Sequence, residues 1–255
     1  MKLLFLGGDR RMTVAFDILS KKYECSSYGL FDNDFGDIKN ADVIILPIPS
    51  TRDGKTVNAP LTRIKLPLDI LKDAKRGALI LTAGYDANRY PQTDYAALDE
   101  FCINNAISTA EGAIAAAVEN TDLTLFGSKV LITGYGRVGK VLLSRLLSFG
   151  ADITVSARSE SHFAELDSIC IKHINSKEIA KTADSFNIIF NTLDLDIFGS
   201  EVPKSPVIFD LSTKGCAKGE HKNYIKLPGI PGKTAPLSAG RIIATTIEKI
   251  ISQKK

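Results

Sequence analysis

The chain has 255 residues, 44% of them hydrophobic and 24% charged, with a net charge of +3. That composition is globular, and the length is enough for one or two cores without staples. Lys and Arg are scattered rather than striped, which gives no case for nucleic-acid binding, and Cys25, Cys102, Cys170 and Cys216 form no CxxC pair, so neither a metal site nor a disulfide framework is expected.

In chain order, Leu3–Leu6 reads as a first buried strand ending in the turn Gly7-Gly8. Its apolar run is too short for a signal peptide and is interrupted by Asp9-Arg10-Arg11, so a cytoplasmic protein is expected. A helix over 11–21 follows, then buried strands at Val43–Leu46 and Ala78–Leu81. Between them, Ser50–Pro67 reads as irregular. Ala106–Val118 reads as the start of a long helix leaving the first domain. A second series then runs through strands at Val130–Thr133, Ile153–Ser156, Ile188–Asn191 and Val207–Asp210. Its helices are expected at Val138–Phe149, Ser161–Asp167 and Ser176–Thr182. Pro228–Pro236 reads as a proline and glycine loop, and Ala239–Gln253 as an amphipathic terminal helix. The alternation predicts an α/β protein of two doubly wound Rossmann-like units with parallel sheets. The expected division is 1–118, completed by the helix 237–253 crossing back, and 119–236. No segment approaches the roughly 20 apolar residues of a membrane span.

The strongest chemical signal is the strand-turn-helix Gly134-Tyr135-Gly136-Arg137-Val138-Gly139. In this context GxGxxG predicts dinucleotide binding: Gly134 for the tight turn, Gly136 for close approach of the pyrophosphate, Gly139 for helix-strand packing. A glycine-rich turn without a ligand is the plain alternative. The next strand ends Ser156-Ala157-Arg158-Ser159, with no acid for a ribose diol. Arg158, with Ser156 and Ser159, instead suits a 2′-phosphate, which favours NADP over NAD. Thr192 ends a neighbouring strand at the same edge.

The substrate side is expected at carboxyl ends of strands, in a cleft between the units. Asp9, Arg10 and Ser50 are candidates there, against the plainer reading of a solvated helix start. Thr234 or Ser238 could cap the last helix and hold a carboxylate, with Lys233 beside them, and a structural loop returning the chain to the first domain is the equal alternative. His162, His173 and His221 are isolated and receive no role.

The sequence resembles the family of dipicolinate synthase A subunits. Four stretches carry the likeness: Leu6–Arg10; Thr109-Ala110-Glu111-Gly112-Ala113-Ile114; the glycine fingerprint with Ala157-Arg158-Ser159; and Leu227–Pro236 with Ser238-Ala239-Gly240. The fingerprint is generic, whereas the second and fourth stretches are more specific. The resemblance implies oxidation of a dihydrodipicolinate-type ring to dipicolinate during sporulation, with NADP as acceptor. It also implies a partner, the flavoprotein-like B subunit of dipicolinate synthase. A homo-oligomer is compatible with it too. Glu111, the only acid of the second stretch, is either the base or a structural residue, and Lys214 is a second catalytic candidate; Thr109 joins the substrate set. One departure stands at Ser212-Thr213-Lys214-Gly215-Cys216, where the family pattern would have Pro-Gly-Gly, and the stretch to Leu227 is shorter. The rival readings are an NADP-dependent dehydrogenase of another small carboxylate, and a nucleotide-binding partner protein without its own chemistry.

Overall fold

Strands β1 (Lys2–Leu6), β2 (Glu24–Tyr28), β3 (Val43–Ile45), β4 (Leu79–Thr82) and β5 (Gln92–Asp94) form one parallel sheet in the order β2-β1-β3-β4-β5. Successive side chains of a strand point to opposite faces, so both faces of an apolar run must be covered. Leu3 and Phe5 pack with Met12, Ala15 and Leu19 of helix α1 (Arg10–Leu19) and with Ile243, Ile247 and Ile250 of the C-terminal helix. Leu4 and Leu6 face the other way, against Val57, Leu66, Leu68 and Leu71. The segment 50–67 is irregular, pinned by the bridges Thr51–Val57 and Thr56–Pro67.

This is a computed structural model, and it describes residues 1–32, 34–87 and 90–253. The chain divides into Met1–Asn105 with Ala235–Lys255, and Ala106–Thr234. Helix α2 (Asp99–Glu119) therefore crosses the boundary, starting earlier than its apolar pattern indicates. The second unit takes most of it because Ala110, Ala113, Ile114 and Ala117 are buried with Val130, Ile132 and Leu142. That moves the division from 118/119 to 105/106.

In the second unit, β6 (Lys129–Thr133), helix α3 (Arg137–Ser148), β7 (Asp152–Ala157), helix α4 (Glu160–Ser168), β8 (Lys172–Asn175), helix α5 (Ile179–Thr182), β9 (Ile188–Asn191), β10 (Val207–Asp210) and β11 (Tyr224–Lys226) follow in turn. The sheet is parallel, in the order β11-β10-β9-β6-β7-β8, with both faces buried. The order reverses between β6 and β9, which is where a doubly wound sheet receives its ligand.

The proline and glycine segment contains a short helix, α6 (Ile230–Thr234), where a loop is expected. Tertiary packing overrides its composition: Ile230 and Pro231 are buried, and α2 approaches so closely at Gly112 that a Cβ there would lie 2.6 Å from Thr234 Oγ1 and 2.9 Å from Ile230 Cγ1. The last helix, α7 (Pro236–Ser252), begins at its proline rather than at Ala239 and packs on α1. Gly240 permits this contact, since a Cβ there would stand 2.6 Å from the Arg11 carbonyl oxygen. Among the described residues no helix is long and apolar enough to cross a membrane, and no group of His, Cys, Asp or Glu could hold a metal ion.

Candidate functional site

The turn between β6 and α3 uses its three glycines differently. Gly134 has φ +89°, a conformation that L side chains resist, and its N–H donates to both the carbonyl and the hydroxyl oxygen of Ser156, each at 3.1 Å. Gly139 faces back onto the turn: a Cβ there would lie 2.2 Å from the Gly134 carbonyl oxygen. Gly136 is the N-cap of α3, without a side-chain cap, and a Cβ built on it would meet nothing within 4 Å. The turn is thus tight below and open above, beside a helix N-terminus with no acid in its first turn. Those features fit a dinucleotide pyrophosphate, which would take the α3 N–H groups.

Around this turn the expected contacts separate into exposed groups and internal pins. Arg137 and Arg158 are exposed, Val138 is half-buried, and Ala157 is buried at the end of β7. Tyr135 is buried, its hydroxyl 3.3 Å from Glu165 Oε1 and its ring 5.4 Å from that of His162. Lys140 lies over that ring at 4.7 Å and pairs with Glu165 at 2.8 Å. Thr192 donates from Oγ1 to the Thr133 carbonyl at 2.6 Å. One expectation needs correcting: Ser156 is fully buried, holding Gly134, and is no phosphate donor. Ser159 is exposed, and its Oγ accepts the His162 N–H as the cap of α4.

The sequence reading missed a row of buried polar residues at the strand ends. Ser156, Thr133, Asn191 and Asp210 are register partners across β7, β6, β9 and β10. None is more than 1% exposed. Thr133 Oγ1 donates to Asn191 Oδ1 at 2.5 Å, and Asn191 Nδ2 donates to Asp210 Oδ1 at 2.8 Å. Asp210 also accepts from the Ser212 N–H (2.9 Å) and hydroxyl (2.7 Å), the Cys216 N–H (2.8 Å) and the Tyr224 hydroxyl (2.5 Å). Burial pushes its pKa up, but the bonds from Tyr224, Asn191 and Ser212 outweigh burial and hold it below the ordinary carboxylate value. Burial and Asp210 together push the Tyr224 hydroxyl and Cys216 thiol upward. The unusual Ser212–Cys216 stretch is therefore an ordered turn wrapped around one carboxylate. A signal was legible: each apolar strand ends in a short polar residue, in Ile132-Thr133, Phe190-Asn191 and Phe209-Asp210.

The candidates of the first unit fall differently. Asp9 caps α1 and pairs with Arg11 at 2.7 Å, and the Arg11 guanidinium also donates to the Ile48 carbonyl at 2.6 Å. Arg11, which sequence reasoning passed over, is 5% exposed, whereas Arg10 is exposed. Ser50 is fully buried and accepts the Ala83 N–H at 2.8 Å, which corrects its assignment as a substrate contact.

Of the remaining candidates, Glu111 is exposed and pairs with Arg145 at 3.4 Å. Arg145 is in the last turn of α3, about 12 Å along the axis from its start at roughly 1.5 Å per residue, so Glu111 is not brought to the glycine turn. Both line an apolar groove of about 500 Å³ with Ile114, Val118 and Phe149. Thr109 is half-buried on α2. Lys233 is exposed on α6, while Thr234 Oγ1 donates to the Ile230 carbonyl at 3.0 Å. Ser238 is exposed in the first turn of α7. Neither Thr234 nor Ser238 caps α7, whose N-cap is Ala235 without a side-chain bond. Lys214 is exposed, its N–H donating to Asp194 at 3.0 Å.

Comparison with known proteins agrees with this architecture. Residues 2–88 match the family model of the N-terminal domain of the dipicolinate synthase A subunit. A curated relative, the dipicolinate synthase A subunit of Bacillus subtilis (strain 168), is 32% identical over 166 residues, covering 61% of this chain and 56% of the relative. The match thus spans little more than half of that relative's length. The crystal structure of the dipicolinate synthase A subunit from Bacillus halodurans superposes with a TM-score of 0.85 at 23% identity, covering 98% of this chain and 97% of that one. A Salmonella D-lactate dehydrogenase shares the fold more distantly, with a TM-score of 0.63 at 12% identity and coverage of 100% and 97%.

Proposed function

We propose that this chain acts as the dipicolinate synthase A subunits it resembles, oxidising a dihydrodipicolinate-type ring to dipicolinate during sporulation and using NADP rather than NAD. The observation that carries the reading is the uncapped α3 N-terminus behind an open Gly136, with the exposed Arg158 where an acid would select a ribose diol. The B subunit of the synthase is the proposed partner, the cytoplasm the proposed compartment.

A bound oxidised nicotinamide supplies a two-electron acceptor for the ring hydride. The protein's own part is binding and orientation. The α3 N–H groups take the pyrophosphate, and Arg158 pairs with the 2′-phosphate. Thr192 and Tyr135 hold the turn from within. On the second unit, Lys214 and Lys233 are the exposed groups proposed for the carboxylates. Lys214 is the one carried on the turn built around Asp210.

Fluorescence titration with NADPH and NADH tests the cofactor. Arg158→Asp is expected to weaken NADPH binding at least tenfold, about 1.4 kcal/mol. Equal affinity of the parent protein for both would reject the NADP preference. Turnover of dihydrodipicolinate, measured with and without the flavoprotein-like partner, tests the reaction. Dinucleotide binding without turnover in either assay would favour a partner protein lacking its own chemistry, and turnover of a different small carboxylate would favour the other dehydrogenase reading.

A further inference from the structure

Asp210 is an unusual way to hold a turn. Five hydrogen bonds converge on one carboxylate that is 1% exposed: three on Oδ1, from Asn191 Nδ2 and the N–H and hydroxyl of Ser212, and two on Oδ2, from Cys216 N–H and Tyr224. A buried carboxylate is costly unless its lone pairs are filled, and here both oxygens are filled by donors. These donors come from the end of β9, the start of β11 and the turn that follows β10, around the carboxylate that ends β10. The chain of bonds does not stop at Asn191: that side chain accepts from Thr133, the residue before Gly134. One network thus joins the glycine turn on one side of the reversal point to the Ser212–Cys216 turn on the other. A dinucleotide crossing a doubly wound sheet at its reversal point places one half on each side. Arg158 follows β7, on the β6 side. The half opposite the 2′-phosphate would then lie over the β9 and β10 ends.

We infer that Asp210 is the positioning residue for the nicotinamide half of the dinucleotide, setting the Ser212–Cys216 turn and tying it to the glycine turn through Asn191 and Thr133. This rests on the dinucleotide reading above. It makes the stretch that departs from the family pattern a shaped part of the site, with Asp210 acting through the turn rather than by touching the reacting ring.

Asp210→Asn tests it sharply, because either orientation of the amide turns its NH2 onto a backbone N–H, of Ser212 or of Cys216. Calorimetric titration with NADP and with 2′-phospho-ADP-ribose, which lacks the nicotinamide, separates positioning from general stability. Asp210→Asn is expected to weaken NADP at least tenfold and leave the fragment within twofold of the parent. Tyr224→Phe, which removes one donor and keeps the carboxylate, should lower the ratio of NADP to fragment affinity by a smaller factor, and carries the test should Asp210→Asn fail to fold. Equal losses for both ligands, or no loss for either, would overturn the inference. A parent protein that binds neither ligand would instead defeat the dinucleotide reading on which it stands.

Discussion

Each unit contains a buried strand, a glycine turn and a helix in succession, β1 to α1 in one and β6 to α3 in the other, yet the two turns have opposite characters. After β1, the α1 N-terminus is capped by Asp9, and Arg11 closes the corner by binding both Asp9 and the Ile48 carbonyl. After β6, the α3 N-terminus has glycine at its cap and open space above it. A helix start whose N–H groups are answered by the protein's own carboxylate has little left for an anion, while one without a cap keeps its donors for a ligand. The same supersecondary unit therefore reads as structure in one place and as a candidate site in the other. The difference lies in the side chains at the cap.

The largest expected effect comes from making the second turn resemble the first. Gly136→Asp places an acid at the cap of α3, where a Cβ has room, so the thermal midpoint should hold or rise slightly. NADP affinity should fall at least 100-fold, about 2.7 kcal/mol. Retained affinity in a titration would break the comparison. The converse change opens the first turn. Arg11→Ala leaves Asp9 and the Ile48 carbonyl without their charged partner and should cost about 2 kcal/mol in urea unfolding. Arg10→Ala, one residue away and exposed, should stay within about 0.5 kcal/mol. Comparable losses for the two would mean that the closed corner contributes nothing particular.

The smallest effect is one of pH, and it belongs to the Asp210 turn of the second unit. Asp210 has a folded pKa below its unfolded value of about 3.9. Its contribution to stability is therefore fully present above about pH 4 and is lost as the pH falls through the folded pKa. Denaturant unfolding of the parent and of Asp210→Asn should differ most near neutrality and converge below about pH 4. A gap that stays constant across that range would show that the carboxylate's charge is not what holds the turn.

Much of the fold could be read along the chain, and the omissions share one cause. The central strands β1, β3, β4, β6, β7, β9 and β10 are apolar runs because both faces and both edges are covered. The strands that escaped the sequence reading, β2, β5, β8 and β11, are the four sheet edges. Having a neighbour on only one side, they carry sequences such as Glu24-Cys25-Ser26-Ser27-Tyr28 and Lys172-His173-Ile174-Asn175, whose polar residues hide the strand. Helix α6 was hidden for a different reason, since its shape comes from packing under Gly112 rather than from propensity.

By itself, the sequence determined the two parallel α/β units and the glycine turn after β6, because burial period and backbone freedom are local properties of a short stretch. It also showed Arg158 in the place of an acid. Only the tertiary structure decided which charged groups face inward. It buried Arg11 and left Arg10 in solvent, put Glu111 at the far end of α3 from the glycine turn, and drew Thr133, Asn191 and Asp210 from three strands into one bonded row. Those partners lie as far as 77 residues apart along the chain from Thr133 to Asp210, and a hydrogen bond of about 3 Å between such residues is fixed by strand order and register, which no local pattern encodes.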